Sequence, residues 1–334
     1  MPTTLIKTYR CTCCRSSYTT KTASVQDGVC ARCFDQYYRI CEDCGDIHYV
    51  TPHATPRETL CFGCRAARRN TAELHYWREK PLNTSFATYD QMGSKRKYGV
   101  EVETSYCQCH RELHGKTAFG SKSDPSVDGL EFVSPILYGD QGLEEIDNLL
   151  EFAAEKHWEA DQYCGCHIHC DLRVEGVEGL IKVAHAYRRL QNLLKQFAAP
   201  HRHNHDYSYD LAWSVSDLTQ NRQVRNNLSV LDWLCRNGRY NHVNFCAYTR
   251  HQTVEIRILE GTVDATTIKN WLKFNTRLID AIVKMSHEEI ETVFNKRLMK
   301  DQFAAIVAII DDAELTDWLA ARARSLNHTN LVAE

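Results

Sequence analysis

The stretch Tyr98-Gly-Val-Glu-Val-Glu-Thr104 alternates apolar and polar side chains over most of its length. A period of two residues is that of a half-buried β-strand, whose successive side chains point to opposite faces. Val100 and Val102 then face a core, while Glu101 and Glu103 face the other way. A merely solvated strand face usually carries Thr, Lys or Ser rather than two carboxylates. Taken singly, the stretch predicts a half-buried strand with an acidic face, which is either merely solvated or functional.

Three later stretches repeat this alternation. They are Leu130-Glu-Phe-Val-Ser134, Cys166-His-Ile-His-Cys-Asp-Leu172 and Val254-Glu-Ile-Arg-Ile-Leu259. Their polar positions carry acids, imidazoles and a guanidinium: Glu131, His167, His169, Asp171, Glu255 and Arg257. Longer segments with a helical apolar period lie between these stretches. The pattern predicts an α+β domain in which an antiparallel sheet has helices on one side.

The polar positions of the four strands favour an oxygen-rich metal site. Carboxylate oxygens with one or two imidazole nitrogens suit magnesium or manganese better than structural zinc. Carboxylates placed together also repel one another unless a cation lies between them. Arg257 follows Glu255 by two residues, which suits an anionic group bound to the same ions. Phosphate is the obvious candidate for that group.

The first 64 residues contain nine of the sixteen cysteines of the chain. Eight of these form four CxxC pairs, and Cys13 is left over: Cys11/Cys14, Cys30/Cys33, Cys41/Cys44 and Cys61/Cys64. Fifteen residues separate the first two pairs, and sixteen separate the last two. One CxxC turn supplies two thiolates to a zinc ion, and a second turn completes the tetrahedron. The spacing predicts two consecutive zinc ribbons, with redox-active or free thiols as the alternative.

The composition of the whole chain excludes two classes of protein. The chain has 334 residues, of which 25% are charged, and its formal net charge is −3. These values exclude a disordered acidic chain and a basic nucleic-acid arm. No apolar run approaches the roughly 20 residues of a membrane helix, and the first residues lack a secretion signal. We therefore expect a cytoplasmic protein with no membrane partner.

The patterns divide the chain into four parts. Residues 1–66 hold the tandem ribbons, 67–94 form a connector, 95–285 form the catalytic domain and 286–334 form a C-terminal helical segment packed on it. Ten basic and six acidic side chains lie in residues 1–70, and two zinc sites of four thiolates each would cancel this excess of positive charge. We therefore expect the ribbons to dock a protein or another macromolecule, with nucleic acid as the alternative.

The second domain contains five short motifs in a fixed order. They are Tyr98-Gly-Val-Glu-Val-Glu103, Asp124-Pro-Ser-Val-Asp-Gly-Leu-Glu-Phe-Val-Ser-Pro135, Gly165-Cys-His-Ile-His-Cys-Asp171, Arg239-Tyr-Asn-His-Val-Asn244 and Thr253-Val-Glu-Ile-Arg-Ile-Leu-Glu-Gly-Thr262. In these motifs and their order, the domain resembles the amidoligases. The resemblance covers about residues 95–285 and leaves the ribbons outside. Pro125 follows Asp124 where the family often has glycine, so the roles of Asp124 and Ser126 are left open.

The resemblance implies a fold, an activity and a set of cofactors. The implied fold is a curved antiparallel sheet like that of glutamine synthetase, with helices on one side. The implied activity is that of an ATP-dependent carboxylate–amine ligase, which uses ATP with magnesium or manganese and joins a carboxylate to an amine. The resemblance assigns two cation sites to this sequence: Glu101, His167 and Glu255 hold one ion, and Glu103 and Glu131 hold the other.

The resemblance also implies roles around the phosphates. Arg257 meets the transferred phosphoryl group, and His169 lines the substrate side. Arg239 and Arg250 contact the phosphates of ATP. Together with Glu103, Arg257 and His169 make up the expected catalytic set. The implied mechanism forms an acyl phosphate first and the amide second.

Two other functions are open at this point. His167-x-His169-x-Asp171 resembles the start of a binuclear zinc hydrolase motif, which indicates a metal-dependent hydrolase as an alternative. Those enzymes usually continue with another histidine, whereas Leu172 occupies that place here. The second alternative is a non-catalytic zinc-ribbon adaptor whose second domain has decayed.

Two smaller clusters carry weaker predictions. Buried free thiols are expected at Cys107, Cys109, Cys164 and Cys166, with a third zinc site that includes His110 as the alternative. The polar cluster His201, Arg202, His203 and His205 follows a helical pattern that ends at Pro200. We expect a solvated loop at this cluster, with a substrate-binding segment as the alternative.

Overall fold

The computed structural model of the chain describes residues 8–11, 15–19, 32–33, 36, 38–40, 47–49, 87–113, 115–124, 126–203, 205–206, 208–212, 233–235 and 238–328. The chain forms two compact units, Met1–Glu73 and Leu74–Glu334. The predicted candidate active site belongs entirely to the second unit.

The described part of the first unit contains two short antiparallel sheets. Strand β1 (Thr8–Arg10) pairs with β2 (Ser17–Thr19), and β3 (Tyr38–Ile40) pairs with β4 (Ile47–Tyr49). Two of the predicted zinc ligands, Cys11 and Cys33, are described, and both are buried. The other six lie outside the described residues: Cys14, Cys30, Cys41, Cys44, Cys61 and Cys64. The two zinc ribbons therefore stay a prediction.

The second unit is built on a six-stranded antiparallel sheet. Its strands are β5 (Tyr98–Glu103), β6 (Gly120–Lys122), β7 (Glu131–Val133), β8 (Cys166–Asp171), β9 (Val243–Asn244) and β10 (Thr253–Ile256). Across the sheet, the order is β6-β7-β5-β8-β10-β9. The predicted α+β class with an antiparallel sheet is confirmed, and the four alternating stretches form β5, β7, β8 and β10.

Seven α-helices are described in this unit. They are α1 (Gly139–Glu155), α2 (Gly176–Leu194), α3 (Ala247–His251), α4 (Ala265–Ile282), α5 (His287–Phe294), α6 (Met299–Ile310) and α7 (Ala313–Ser325). Short 3-10 turns occur at His110–Leu113, Lys195–Phe197 and Pro200–Arg202. None of the helices described here has the length and apolar character needed to cross a membrane.

Side-chain caps fix where three of these helices begin. At the start of α7, the Asp312 carboxylate accepts a hydrogen bond from the backbone N–H of Leu315. The Asp264 carboxylate accepts hydrogen bonds from the backbone N–H groups of Thr266 and Thr267 at the start of α4. Ser286 and Glu289 form a reciprocal capping box at the start of α5. Such caps satisfy N–H groups that have no partner within the helix.

The apolar face of the sheet packs against the helices and forms one side of the hydrophobic core. Val100, Ile168 and Ile256 project from β5, β8 and β10 and are buried. They belong to one cluster with apolar side chains of the helices, among them Trp271 of α4. Because residues alternate along each strand, burying this face leaves the acids and histidines on the opposite face.

Candidate active site

The register of the sheet brings the predicted polar residues onto one face. Across β5 and β7, Glu103 lies opposite Glu131. Across β5 and β8, Glu101 lies opposite His167. Across β8 and β10, His169 lies opposite Glu255. Opposed residues of antiparallel strands share a face, so side chains from four strands, far apart in the sequence, meet on a single surface.

His167 lies at the centre of this polar face and is 2% exposed. Its Nδ1 lies 3.3 Å from Oε2 of Glu101 and 3.5 Å from Oε1 of Glu255. Its Nε2 lies 3.7 Å from Oε1 of Glu103. One imidazole therefore contacts carboxylates of two strands on opposite sides of β8.

Three groups of side chains offer ligand atoms that all lie within 4.8 Å of one another. The groups are Glu101 with Glu131 and His167, Glu101 with His169 and Glu255, and Glu103 with Asp124 and Glu131. All five predicted magnesium ligands take part. Their grouping differs from the one that the resemblance implied, because His169 joins Glu101 and Glu255, and Asp124 joins Glu103 and Glu131.

The carboxyl groups of the site have pKa values shifted in different directions. Burial alone would raise the pKa of Glu101, but hydrogen bonds with the two histidines of β8 hold it well below its ordinary value. Burial is also outweighed at Glu255, where the charge of Arg257 lowers the pKa to about 2. Burial and the charge of Glu101 hold the pKa of Glu131 well above its ordinary range. The face thus combines ionised ligands with one carboxyl group that tends to hold a proton.

Three polar contacts of the site were not identified from the sequence. Nζ of Lys122 lies 2.8 Å from Oε2 of Glu131. Asn244 donates from Nδ2 to Oε2 of Glu255 over 2.5 Å. The backbone N–H of Gly165 donates to Oε2 of Glu103 over 2.6 Å. Strands β6 and β9 have only three and two residues and, unlike β7, were not part of an alternating stretch, although Asn244 and Gly165 lie within the quoted motifs.

Arg257, the predicted phosphoryl contact, extends from the end of β10 over the polar face. Its Nη1 donates to Oε1 of Glu255 and lies 3.4 Å from Nδ1 of His167. His169 lies beside it on the same face: its Nε2 is 3.5 Å from Oε1 of Glu101. The other His169 ring nitrogen, Nδ1, lies 3.0 Å from Oγ1 of Thr253.

The two arginines expected at the ATP phosphates lie at the surface. Arg239 is exposed, and its guanidinium lies 5.3 Å from the centre of the Tyr240 ring. Arg250 is exposed on α3 and is followed by His251, whose ring centre lies 6.0 Å from that of His169. Arg250 therefore precedes His251, a residue that lies beside the polar face.

The cysteines of the second unit form no ligand group among the described residues. Cys164 and Cys166 are completely buried, and burial raises the pKa of Cys164 to about 12. Cys109 is exposed. The prediction of buried thiols agrees with the structure at Cys164 and Cys166 and is wrong at Cys109, which lies exposed just before the turn His110–Leu113, and Cys107 is half-buried. No geometry supports a third zinc site within the described residues.

An open surface depression of about 350 Å³ lies beside the ends of β5 and β7. Its lining includes Ser105 and Tyr106, which follow β5, and Gly129 and Leu130, which precede β7. Glu103 and Glu131 are the nearest strand residues in sequence to these two segments. The residues that line this depression include no member of the three ligand groups.

Comparison with known proteins identifies the family. A family profile described as "putative amidoligase enzyme" matches residues 61–279, about two thirds of the chain. The match begins at Cys61, so it includes the last CxxC pair, which the motif resemblance over residues 95–285 had left outside. A search of curated proteins finds no match. The profile covers every strand of the polar face, and the chain belongs to the family described as "putative amidoligase enzyme".

Proposed function

We propose that this protein is an ATP-dependent ligase that joins a carboxylate to an amine on a glutamine-synthetase-like sheet. The observation that carries the proposal is the convergence of three candidate ligand groups on one face of the sheet, beside the guanidinium of Arg257. Phosphoryl transfer requires cations and positive side chains around the transferred group. Membership of an amidoligase family supports an amide as the product.

The donor set fits two magnesium or manganese ions. Of the three ligand groups, only two share no residue and can bind ions at the same time: Glu101 with His169 and Glu255, and Glu103 with Asp124 and Glu131. Carboxylate oxygens with at most one imidazole are the donors that these ions prefer. When bound, such ions neutralise charge on the phosphates. This assignment changes the roles that the resemblance gave to the two histidines. His169 becomes a metal ligand instead of lining the substrate side, and His167 orients the surrounding carboxylates instead of binding metal.

The reaction has two steps. In the first, a substrate carboxylate oxygen attacks the γ-phosphorus of ATP, the bond to the bridging oxygen breaks, and ADP leaves an acyl phosphate behind. In the second, the amine nitrogen attacks the carbonyl carbon, phosphate leaves with the electrons of the C–O bond, and the nitrogen loses a proton. Arg257 stabilises the charge on the phosphoryl group, because its contact with Glu255 keeps the guanidinium on the polar face. Arg250, and less directly Arg239, contact the nucleotide.

The hydrolase alternative has less support. It needs Asp171 as a ligand with His167 and His169, yet Asp171 belongs to no ligand group of the described residues. Instead, its Oδ1 accepts a hydrogen bond from Nε of Arg173 over 2.9 Å. The ligase proposal uses the ligand groups that are present, so we prefer it.

The test of the activity is a search for product. The protein is incubated with ATP, magnesium and pooled amines and acids, phosphate release is followed, and new amides are sought by mass spectrometry. Acids labelled with ¹⁸O in the carboxylate are expected to pass one label to the released phosphate, because the acyl phosphate cleaves at its carbonyl carbon. Glu103→Gln is the control and is expected to lower turnover by on the order of 10²-fold.

Other results would contradict the ligase. Hydrolysis of esters or phosphodiesters without nucleotide would favour the hydrolase. Failure to bind ATP with magnesium would favour the adaptor.

We propose further that the four CxxC pairs bind two zinc ions and dock a macromolecular substrate, with protein favoured over nucleic acid. The pair Cys11/Cys14 lies outside the range that matches the family. Replacing both cysteines by serine is expected to spare turnover of small model substrates and to abolish reaction with the natural partner. Equal loss of both activities would contradict a docking role.

A further inference from the structure

Arg202 is buried against the polar face, whereas the sequence predicted a solvated loop. It ends the 3-10 turn Pro200–Arg202 and is only 1% exposed. Its Nη2 donates to the backbone carbonyl of Arg257 over 2.8 Å. The prediction of a solvated loop is therefore wrong for this residue, because the short turn directs its side chain inward.

The space beside Gly165 shows which side chains surround the Arg202 guanidinium. A Cβ atom added to Gly165 would lie 3.0 Å from Nη2 of Arg202, 2.8 Å from Nε2 of His167 and 3.4 Å from Oε2 of Glu103. The guanidinium is therefore a neighbour of His167 and Glu103, at the end of the polar face where the Glu103 ligand group lies.

The guanidinium has more donors than its surroundings satisfy. Among the described residues, Nε of Arg202 has no hydrogen-bond partner, and Nη1 lies 3.5 Å from Nδ1 of His205. Its one short hydrogen bond goes to a neutral carbonyl. Burial lowers the pKa of Arg202 to about 10, against the opposing effect of Glu103. The side chain still carries its charge at neutral pH, and a buried charge normally needs an ionic partner.

We propose that Arg202, with Arg257, binds the phosphoryl group as it passes from ATP to the substrate carboxylate. This inference rests on the proposed function. The hydrogen bond from Arg202 to the Arg257 carbonyl couples the two residues, and both border the ligand groups. A guanidinium whose Nε–H has no partner in the described part of the chain is suited to phosphate, because its planar fork can donate two parallel hydrogen bonds to two oxygens. Arg202 is therefore a phosphate-binding residue, and its fork shape matters as well as its charge.

The test measures binding of inorganic phosphate to the full chain in the presence of Mn²⁺, by calorimetry. Arg202→Lys keeps the charge and most of the stem but removes the fork, and Arg202→Met removes the charge. We expect both variants to bind phosphate at least tenfold more weakly than the wild type. Mn²⁺ binding, counted by electron paramagnetic resonance, is expected to be unchanged in Arg202→Lys. Arg324→Lys, an exposed change on α7, is the matched control and is expected to bind phosphate like the wild type.

A second measurement uses only the wild-type protein, in case a variant does not fold. The Nε–H signal of Arg202, assigned by through-bond NMR correlation, is expected to shift when phosphate is added to the protein with Mg²⁺. An unshifted signal in phosphate-saturated protein would overturn the proposal, as would wild-type phosphate affinity in a folded Arg202→Lys variant. A wild-type protein that binds Mn²⁺ but no phosphate would also overturn it.

The two proposals fail in different ways. If phosphate binding depends on Arg202 but no amide is ever formed from ATP, the ligase proposal fails and the phosphate site stands. If amides form and phosphate affinity does not depend on Arg202, the ligase proposal is supported and the proposed phosphate site is wrong.

Discussion

Glu101 lies among the acids of the ligand groups and also close to the cationic side chain of Lys122. It belongs to two of the three ligand groups, and its Oε1 lies 4.0 Å from Nζ of Lys122. Among the described residues, the acids of the ligand groups outnumber the cationic side chains Lys122, Arg202 and Arg257 that border them. The remaining negative charge favours a divalent cation on the face.

The absence of a side chain at Gly165 leaves space for the His167 ring and the Arg202 guanidinium. We expect Gly165→Ala to lower both Mn²⁺ affinity and ligase turnover, with turnover reduced on the order of 10²-fold, because the added methyl displaces the His167 ring and the Arg202 guanidinium. Gly99→Ala is the matched control on β5, since its Cβ would lie 3.5 Å from Cβ of His169, an ordinary contact. Equal turnover in the two variants would contradict this reading.

His242 is expected to make the fold sensitive to acid. Burial lowers its pKa to about 4, whereas an unfolded chain has the ordinary value near 6.5. Between these two pH values, the unfolded state binds a proton that the folded state does not. The contribution of His242 is thus fully present above about pH 6.5 and is lost as the pH falls toward 4.

The loss is expected to reach about 3 kcal/mol of unfolding free energy. Urea unfolding of the wild type and of His242→Asn at several pH values measures it. The variant is expected to lose less stability over this window, and parallel pH profiles would refute the assignment to His242.

At the scale of single elements, visible alternation decided what the sequence could predict. Strand β7 has only three residues but lies in the alternating stretch 130–134, so it was predicted. Strands β5, β8 and β10 have four to six residues, so their alternation was visible and placed the main acids and histidines correctly on one face. Strands β6 and β9 were missed, and with them Lys122 and Asn244. Arg202 was missed for another reason: a polar side chain among histidines carries no sequence signal of burial, which arises only when the 3-10 turn packs against the sheet.

The capping box of α5 offers a test at this scale. Replacing Ser286 by alanine removes the acceptor for the Glu289 backbone N–H, a bond of 3.1 Å. We expect the unfolding free energy to fall by about 1 kcal/mol, with Mn²⁺ binding unchanged because Ser286 is remote in sequence from every ligand. Ser286→Asp restores a capping oxygen and is expected to recover most of the loss in urea unfolding.

At the scale of the whole molecule, we expect the two units to differ in what stabilises them. The unit Leu74–Glu334 has a large apolar core that joins sheet and helices. The described part of Met1–Glu73 has two two-stranded sheets, which are too small to be stable alone. A small unit of this kind depends on additional links such as metal ions.

Removing zinc is therefore expected to affect the two units differently. A strong chelator should release two zinc ions per chain and make residues of Met1–Glu73 susceptible to proteolysis, while Leu74–Glu334 resists. Metal analysis and mass mapping of the fragments report both effects. Purified protein without zinc whose first unit still resists protease would contradict this expectation.

Strand β8 is hydrogen-bonded along both edges, to β5 on one side and to β10 on the other. A backbone shift that moved His167 or His169 would break hydrogen bonds to both neighbouring strands. We therefore expect these two histidines to be held in place before a substrate binds. For the proposed ligase, we expect selectivity among amines and acids to come from the segments that connect the strands. Grafting such segments between relatives should exchange their substrates while leaving the catalytic steps intact.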